Sequence, residues 1–508
     1  MDGIELGKLK EDVREGRIAP ERLVDLVVTS QRELQEAKKR IAELEKQLAG
    51  GSKTVEEPYS VREEEKRQEK RGKKNRRRRS RPTRRGRFST ADKIALAVRT
   101  EQVFPEGVPQ EQCVLSHTRP LWRLEEGRAV IVAYEVYRGP QSVYGKIPGA
   151  LGRSEFGMEI IVAIAYQVYV VGLSFDKVCL LMNFFQGLKL RKSQVDALLN
   201  QLSRQWESEF DTLCELLARS AVVHADETSW SINSVWAFLS EKVRLLFFGV
   251  HKDAATLARI LNPDTFAGIV ISDDAAVYDN FTHSQKCWAH FLRKAIKLTL
   301  LEPTNETYRE FTDRLLEIYR AACRVQRDRR FTDAGRRRRV AELDDEILEL
   351  CGAVWCAELP VLEGPADDYR RLCNELMRVM LNQQLFTFVL AAPVTAPNGK
   401  TSPVPGTNNE AEQGVRGPAM DRSTGRTSKT VRGSRRRTVI DSVLQSLRKY
   451  LVEFTLASVV KEVGSWKAQG RSCFKRLLDK LKRTSKRHAE TAPTSLSVLD
   501  ALLPIPAD

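Results

Sequence analysis

The sequence predicts an α/β protein built around a sheet that carries acids at one end. Three observations predict it. Two apolar, β-branched runs each end in a carboxylate, strand-like and helical stretches alternate between residues 216 and 299, and helical periodicity dominates on both sides. The first run is Ala221-Val-Val-His-Ala-Asp-Glu-Thr-Ser-Trp230, which delivers Asp226, Glu227 and Thr228 at its end. The second is Gly268-Ile-Val-Ile-Ser-Asp-Asp274, which ends in Asp273 and Asp274. A carboxylate at the end of a buried strand is costly unless it finds donors or a cation. Two such strands in one sheet are a way to build a divalent-metal site.

The intervening residues justify placing the two strands together. Trp236-Ala-Phe-Leu239 and Arg244 to His251 read as strands, and Asp253 to Leu261 reads as a helix with Asp253 near its cap. After the second acid strand, Cys287-Trp-Ala-His290 leads into a basic helix. The order β-β-β-α-β-α-β is that of a ribonuclease-H-like sheet, in which strands one and four are neighbours. That adjacency brings Asp226 and Asp273 together. By the two-residue strand period, His224 shares a face with Asp226.

Composition bounds the rest. The chain has 508 residues, 42% of them hydrophobic, so more than one core is expected. No apolar run reaches membrane-spanning length; Ile160 to Leu173 is too short and contains Gln167. The start, Met1-Asp-Gly-Ile-Glu5, lacks the features of a signal peptide, and the nine cysteines form no paired framework. A cytoplasmic protein is therefore expected. Cys351, Cys356 and Cys373 lie in Leu-rich helical sequence and read as core thiols.

The net charge of +16 is concentrated. Residues 66–87 hold fourteen Lys and Arg against one acid, Glu69. This marks the segment, including Arg76, Arg77, Arg78 and Arg79, as a polyanion contact with salt-sensitive affinity.

Taken in order, residues 1–50 are helical. Val27, Leu34, Ile41 and Leu48, interleaved with Ser30, Ala37 and Leu44, give a heptad seam, and self-association through residues 23–48 is expected. Residues 51–88 form a basic linker that cannot build a core. Residues 89–150 form a small β-rich module around Arg128 to Tyr137, with Cys113 and His117 at metal-like spacing but without partners. Residues 151–215 are helical. Phe175 to Phe185 and Ser193 to Leu202, separated by a turn at Gly187, suit a helix-turn-helix that would offer Gln194, Asn200 and Gln201 to a groove. The acid-bearing strands occupy 216–299, and 300–400 form a helical insertion followed by a Pro- and Gly-rich loop. Gly399-Lys-Thr401 there resembles the end of a P-loop, but Val394 stands where the earlier Gly belongs. Residues 401–485 are helical again, and 486–508 are expected to be a loose tail.

The third acid is ambiguous from the residues alone. Thr407-Asn-Asn-Glu-Ala-Glu-Gln-Gly-Val-Arg416 opens a helix. Thr407 with Glu410, and Asn409 with Glu412, both have capping-box spacing.

Four motifs occur in a set order: His224-Ala-Asp-Glu-Thr-Ser-Trp230; Ser272-Asp273 with Tyr278; Cys287-Trp-Ala-His290 with Arg293-Lys294; and Asn408-Asn-Glu-Ala-Glu412 with Arg416. Over roughly residues 145–450 they resemble the bacterial transposases of the insertion sequence 66 family. That resemblance implies a ribonuclease-H-like core, a triad of Asp226, Asp273 and Glu412, and two Mg²⁺ (or Mn²⁺) ions. Asp226 would bridge the ions, with Asp273 and Glu412 each holding one. The implied reaction is metal-dependent DNA cleavage at element ends and strand transfer, in a nucleoid-associated cytoplasmic protein with accessory proteins as further partners. Arg293, Lys294 and Arg416 become phosphate contacts. Relatives often carry a paired-cysteine zinc module ahead of the core. Only Cys113 and His117 lie in the matching region, which argues against zinc there. Asp274 stands where relatives carry a small residue, and Thr407 where an Asp is common. Two other classes share these features: a DNA-binding protein without catalysis, and a nuclease on the same fold. A serine or cysteine hydrolase is excluded by the lack of G-x-S-x-G.

Overall fold

The computed structural model describes residues 89–356, 363–485 and 498–503. The heptad segment, the basic linker with Arg76 to Arg79, and most of the tail lie outside the described residues.

After a capped turn of helix, α1 (Thr90–Ala95), the first module is a three-stranded sheet of β1 (Arg99–Val103), β2 (Val114–Glu125) and β3 (Arg128–Arg138). Its order is β1-β3-β2. The β2–β3 hairpin turns through Glu126 and Gly127, both at positive φ, as a two-residue hairpin loop requires. Sequence reading found β3 but not β2, because Pro120 and alternating polar residues mask it. Pro120 is tolerated because β2 is an edge strand.

Helices α2 (Met158–Ala165), α3 (Phe175–Gln186) and α4 (Lys192–Ala218) follow. The turn between α3 and α4 contains Gly187 in the left-handed region at φ 69°. The second helix is far longer than Ser193 to Leu202, and it starts before Ser193. The Gln194 Oε1 accepts from the Arg191 N–H at 2.9 Å, in place of a serine cap. Asn200 and Gln201 are also engaged internally, on Asp196 at 3.0 Å and on the Leu151 carbonyl at 2.8 Å.

The central sheet contains β4 (Val222–Ser229), β5 (Ser234–Ser240), β6 (Arg244–Val250), β7 (Ile269–Ser272) and β8 (Ser284–Lys286) in the order β6-β5-β4-β7-β8. Helix α5 (Ala254–Ile260) joins β6 to β7, with the Asp253 side chain accepting from the Thr256 N–H at 2.7 Å. β4 and β7 are parallel neighbours, with Val222, Val223 and His224 opposite Ile269, Val270 and Ile271. Between β7 and β8 the chain makes a 3₁₀ turn, Ala276–Tyr278, so the short strand β8, which sequence reading did not find, precedes the basic helix expected after the second acid strand.

One face of the sheet, including Val223, Ala225, Trp236, Phe238 and Phe247, packs on α4 and on α12 (Val431–Leu447). The other face meets α6 (Trp288–Leu301), the helical insertion of α7 (Glu306–Arg327), α8 (Asp333–Cys356), α9 (Pro365–Leu381) and α10 (Thr387–Leu390), and α11 (Asn409–Ser423). Cys351 and Cys373 lie buried in the insertion's core, as their Leu-rich surroundings predicted. A two-residue hairpin, β9 (Val394–Thr395) with β10 (Thr401–Ser402), interrupts the following loop.

The open edge of β6 is closed by hydroxyls. Thr438, Ser442 and Ser446, one turn apart on α12, accept from the N–H groups of Phe248, Leu246 and Arg244 at 3.0, 2.9 and 3.0 Å. An edge strand would otherwise present these donors to other chains. Helices α13 (Leu456–Gln469) and α14 (Cys473–Ser485) complete this side. The expected loose tail contains one packed helical turn, α15 (Val498–Leu502), with Leu499 fully buried and Asp500 paired to Arg435 at 2.6 Å. Apolar spacing of four between Leu499 and Leu503 accounts for the docking.

Candidate active site

The alternation of β4 assigns its residues to two environments. Val222, His224 and Asp226 face α6 and α11, whereas Val223, Ala225 and Glu227 face the opposite core. His224 pairs with Ile271, so continuing the parallel register by two residues sets Asp226 beside Asp273, just past the end of β7. The Asp226 Oδ1 accepts the N–H of Glu227 at 2.9 Å. Its carboxyl is nevertheless pushed up to about 7, chiefly by burial, then by Glu227, with Asp273 and Glu412 adding to the effect. Three sequence-distant acids therefore lie within electrostatic reach of one another.

The members of each ambiguous pair have different surroundings. Asp274 turns to cations of the scaffold: its carboxylate pairs with Arg378, and the fully buried Lys286 Nζ lies 3.9 Å away. Asp273 instead accepts from the Ala275 N–H at 3.2 Å and remains beside Asp226. On α11, residues 410 and 412 are about 200° apart around the axis, so only one can face β4. Glu412 faces the other acids. Glu410 is exposed and acts on His224, Arg244 and Lys449.

Neither expected capping box forms. The N-cap is Asn408, whose side chain makes no cap bond. Its amide is spent on the tertiary structure: Nδ2 donates to the Ala225 carbonyl at 2.7 Å, and Oδ1 lies 3.3 Å from His224 Nδ1. Its N–H also donates to Cys287 Sγ at 3.1 Å. Asn408 thus ties the start of α11 to β4 and to the start of α6, and this fixes where Glu412 lies. Two turns further on, a Cβ at Gly414 would come within 3.0 Å of Leu239, so glycine lets α11 lie close on β5.

Around the acids lie Tyr278, named in a motif above but given no role, and two lysines that sequence reading passed over. Tyr278, buried, donates to Glu227 Oε2 at 2.5 Å, and Lys252 reaches Glu227 Oε1 at 2.6 Å. Lys286 packs over the Tyr278 ring at 5.9 Å from its centroid. For the lysines the signal was faint, since each stands alone in a loop or short strand.

The expected phosphate contacts are dispersed. Arg293, about half exposed, reaches Glu412 Oε1 at 2.9 Å. Lys294 pairs with Glu375 at 2.5 Å, and Arg416 is exposed on α11. Gln194 is remote in sequence and occupied at the start of α4. Cys113 and His117 contact only their own neighbourhood, the Pro109 carbonyl at 3.4 Å and Ser116 Oγ at 3.2 Å.

A cavity of about 340 Å³ lies behind α11, lined by residues such as Tyr169, Arg244, Pro418, Arg437 and Asp441. The acids are not in it. They sit partly buried at the sheet end, outside that cavity.

Asp226, Asp273 and Glu412 lie within electrostatic reach of one another at one end of a mixed α/β sheet, and their oxygens are of the kind that a hard divalent cation takes. Residues 153–436 match the model of the family described as Transposase IS66 family. The chain belongs to that transposase family, as its motif order implied. Among curated proteins, none matches the chain. Among the described residues, no helix is long and apolar enough to cross a membrane.

Proposed function

We propose that the chain cuts DNA at the ends of an insertion element and joins the freed 3′ ends to target DNA by phosphodiester transesterification. The observation that carries this reading is that Asp226, Asp273 and Glu412 lie within electrostatic reach of one another at the end of one sheet. The β6-β5-β4-β7-β8 order, with β4 and β7 parallel at its centre, supports a ribonuclease-H-like core. Family membership supports the reaction class.

The donor set fits Mg²⁺ or Mn²⁺. All three groups offer carboxylate oxygens, and Asp226 is raised chiefly by burial, with the neighbouring acids adding to the effect. Two such ions, when bound, supply activation of a water or 3′-hydroxyl and neutralisation of the leaving oxygen. The chain's own groups do the rest. Asn408 fixes the start of the helix that bears Glu412. Tyr278 and Lys252 hold Glu227 towards the opposite face, so it does not compete with Asp226 for the same ligand. Arg293 and Arg416 are placed near enough to the acids, and exposed enough, to take DNA phosphates. The segment 66–87 adds sequence-independent affinity.

The reading is tested on DNA carrying pre-cut element ends. Asp273→Ala and Glu412→Gln should each abolish joining while gel-shift binding persists. Joining retained in both variants refutes the assignment, and hydrolysis without any joining would indicate a nuclease.

A further inference from the structure

A second set of ligands lies against the first. Cys287 Sγ, an imidazole nitrogen of His290 and a carboxylate oxygen of Glu412 all lie within 4.8 Å of one another. Two of them come from the first turn of α6, where Cys287 is the N-cap and His290 follows three residues later, so one helical turn presents both on one side. The third comes from α11 across the gap. His290 Nδ1 is 3.9 Å from Glu412 Oε1, and this buried nitrogen has no hydrogen-bond partner. A buried nitrogen without a partner is an uncommon expense in a folded protein.

We infer that Cys287, His290 and Glu412 form a binding site for a borderline-soft divalent cation of the Zn²⁺ class, with its fourth position open.

The donor chemistry selects this class. Thiolate, imidazole and one carboxylate suit zinc, whereas Mg²⁺ requires oxygen. Around a tetrahedral ion with bonds of about 2.0–2.3 Å, ligand atoms lie about 3.3–3.8 Å apart. The trio therefore has to contract by about 1 Å. His290 and Glu412 can supply that contraction by side-chain rotation, since both are partly exposed. Arg293, which now neutralises Glu412, is about half exposed and free to swing into solvent. The Asn408 N–H on Cys287 Sγ favours the thiolate that a cation would complete. Burial, with the Glu412 charge adding to it, pushes this thiol up, so without an ion it stays protonated and inert.

Glu412 belongs to both sets. If the proposed function holds, a Zn²⁺ ion here withdraws the third acid from the Mg²⁺ centre, and micromolar zinc inhibits joining. The binding claim itself does not depend on any activity. The experiment is a Co²⁺ titration of the chelator-treated full chain, read by absorbance. The expected result is one Co²⁺ per chain with a thiolate-to-cobalt charge-transfer band that Cys287→Ser removes and Cys113→Ser leaves unchanged. His290→Ala, a partly exposed position, should weaken Co²⁺ affinity at least about tenfold. No band in the wild type, a band surviving Cys287→Ser, or unchanged affinity in His290→Ala would overturn the inference. Zinc inhibition of joining is read separately. If the Co²⁺ result holds and joining never occurs under any metal, the transposition reading fails and the soft-metal site stands.

Discussion

Replacing Asp226 with Asn should stabilise the cation-free protein, and by more at high pH than at low. The Asp226 carboxyl is pushed from an ordinary 3.8 up to about 7, first by burial and then by Glu227. A carboxyl raised in the folded state takes up a proton on folding throughout the window between those values. Stability is therefore fully present below about pH 4 and declines as pH rises towards about 7. At 1.36 kcal/mol per pH unit the whole window corresponds to about 4 kcal/mol, an upper bound because the group keeps some solvent and shares its field with neighbouring acids. Between pH 5 and pH 8 the advantage of Asp226→Asn over wild type should grow by about 2–3 kcal/mol. The double difference cancels any packing change that the amide introduces at both pH values. The assay is urea denaturation of the chelator-treated full chain at pH 5 and pH 8. Saturating Mg²⁺ at pH 8 should narrow the gap by stabilising wild type alone, by about 2.7 kcal/mol at a hundredfold excess over its dissociation constant. An advantage that is equal at both pH values, or larger at pH 5, would refute the argument from a carboxyl raised by burial and neighbouring acids.

Further expectations concern neighbouring groups. Glu410→Gln should leave joining nearly unchanged where Glu412→Gln abolishes it, because the two residues face opposite ways on α11; equal losses in a joining assay would contradict that. Asn408→Ala should cost about 1–3 kcal/mol by stranding the Ala225 carbonyl. It should also lower joining by loosening the start of α11, and a variant with wild-type urea midpoint and rate would remove Asn408 from the account. Deleting residues 66–87 should lower DNA affinity and flatten its dependence on salt; an unchanged slope in a salt titration would show that the segment contacts no phosphate.

The sheet was legible because its strands are buried. Val222 to Ala225 and Ile269 to Ile271 are apolar runs with acids at their ends, and burial on both faces writes itself into composition. Parallel pairing of β4 with β7 followed from the order of elements alone. The choice between Glu410 and Glu412 was not legible from local rules. The capping-box pattern was present, but Asn408 spends its side chain on Ala225 and His224, contacts more than 180 residues away in sequence. Resemblance to the family singled out Glu412, and helical geometry explains why only one of the two acids can face the strand. Asp274 poses the same problem, since its contacts with Arg378 and Lys286 are ones that no local pattern records. The polar residues of the expected helix-turn-helix carry contacts that local rules do not record either. Polar side chains on an exposed-looking helix face turned out to be used at once, Gln201 on Leu151 and Asn200 on Asp196. The hydroxyl ladder on α12 reads in sequence as three unremarkable polar residues, and its meaning appears only against the edge of β6.

The central claim is that the clustered carboxylates hold the cations that drive DNA joining. The most direct measurement exchanges one ligand for a softer one and asks which metal restores the reaction. Asp273→Cys should fail to join pre-cut element ends with Mg²⁺ and recover joining with Mn²⁺, which accepts a thiolate more readily. Undiminished joining by Asp273→Cys in Mg²⁺, or loss under both metals with DNA binding intact, would contradict the claim.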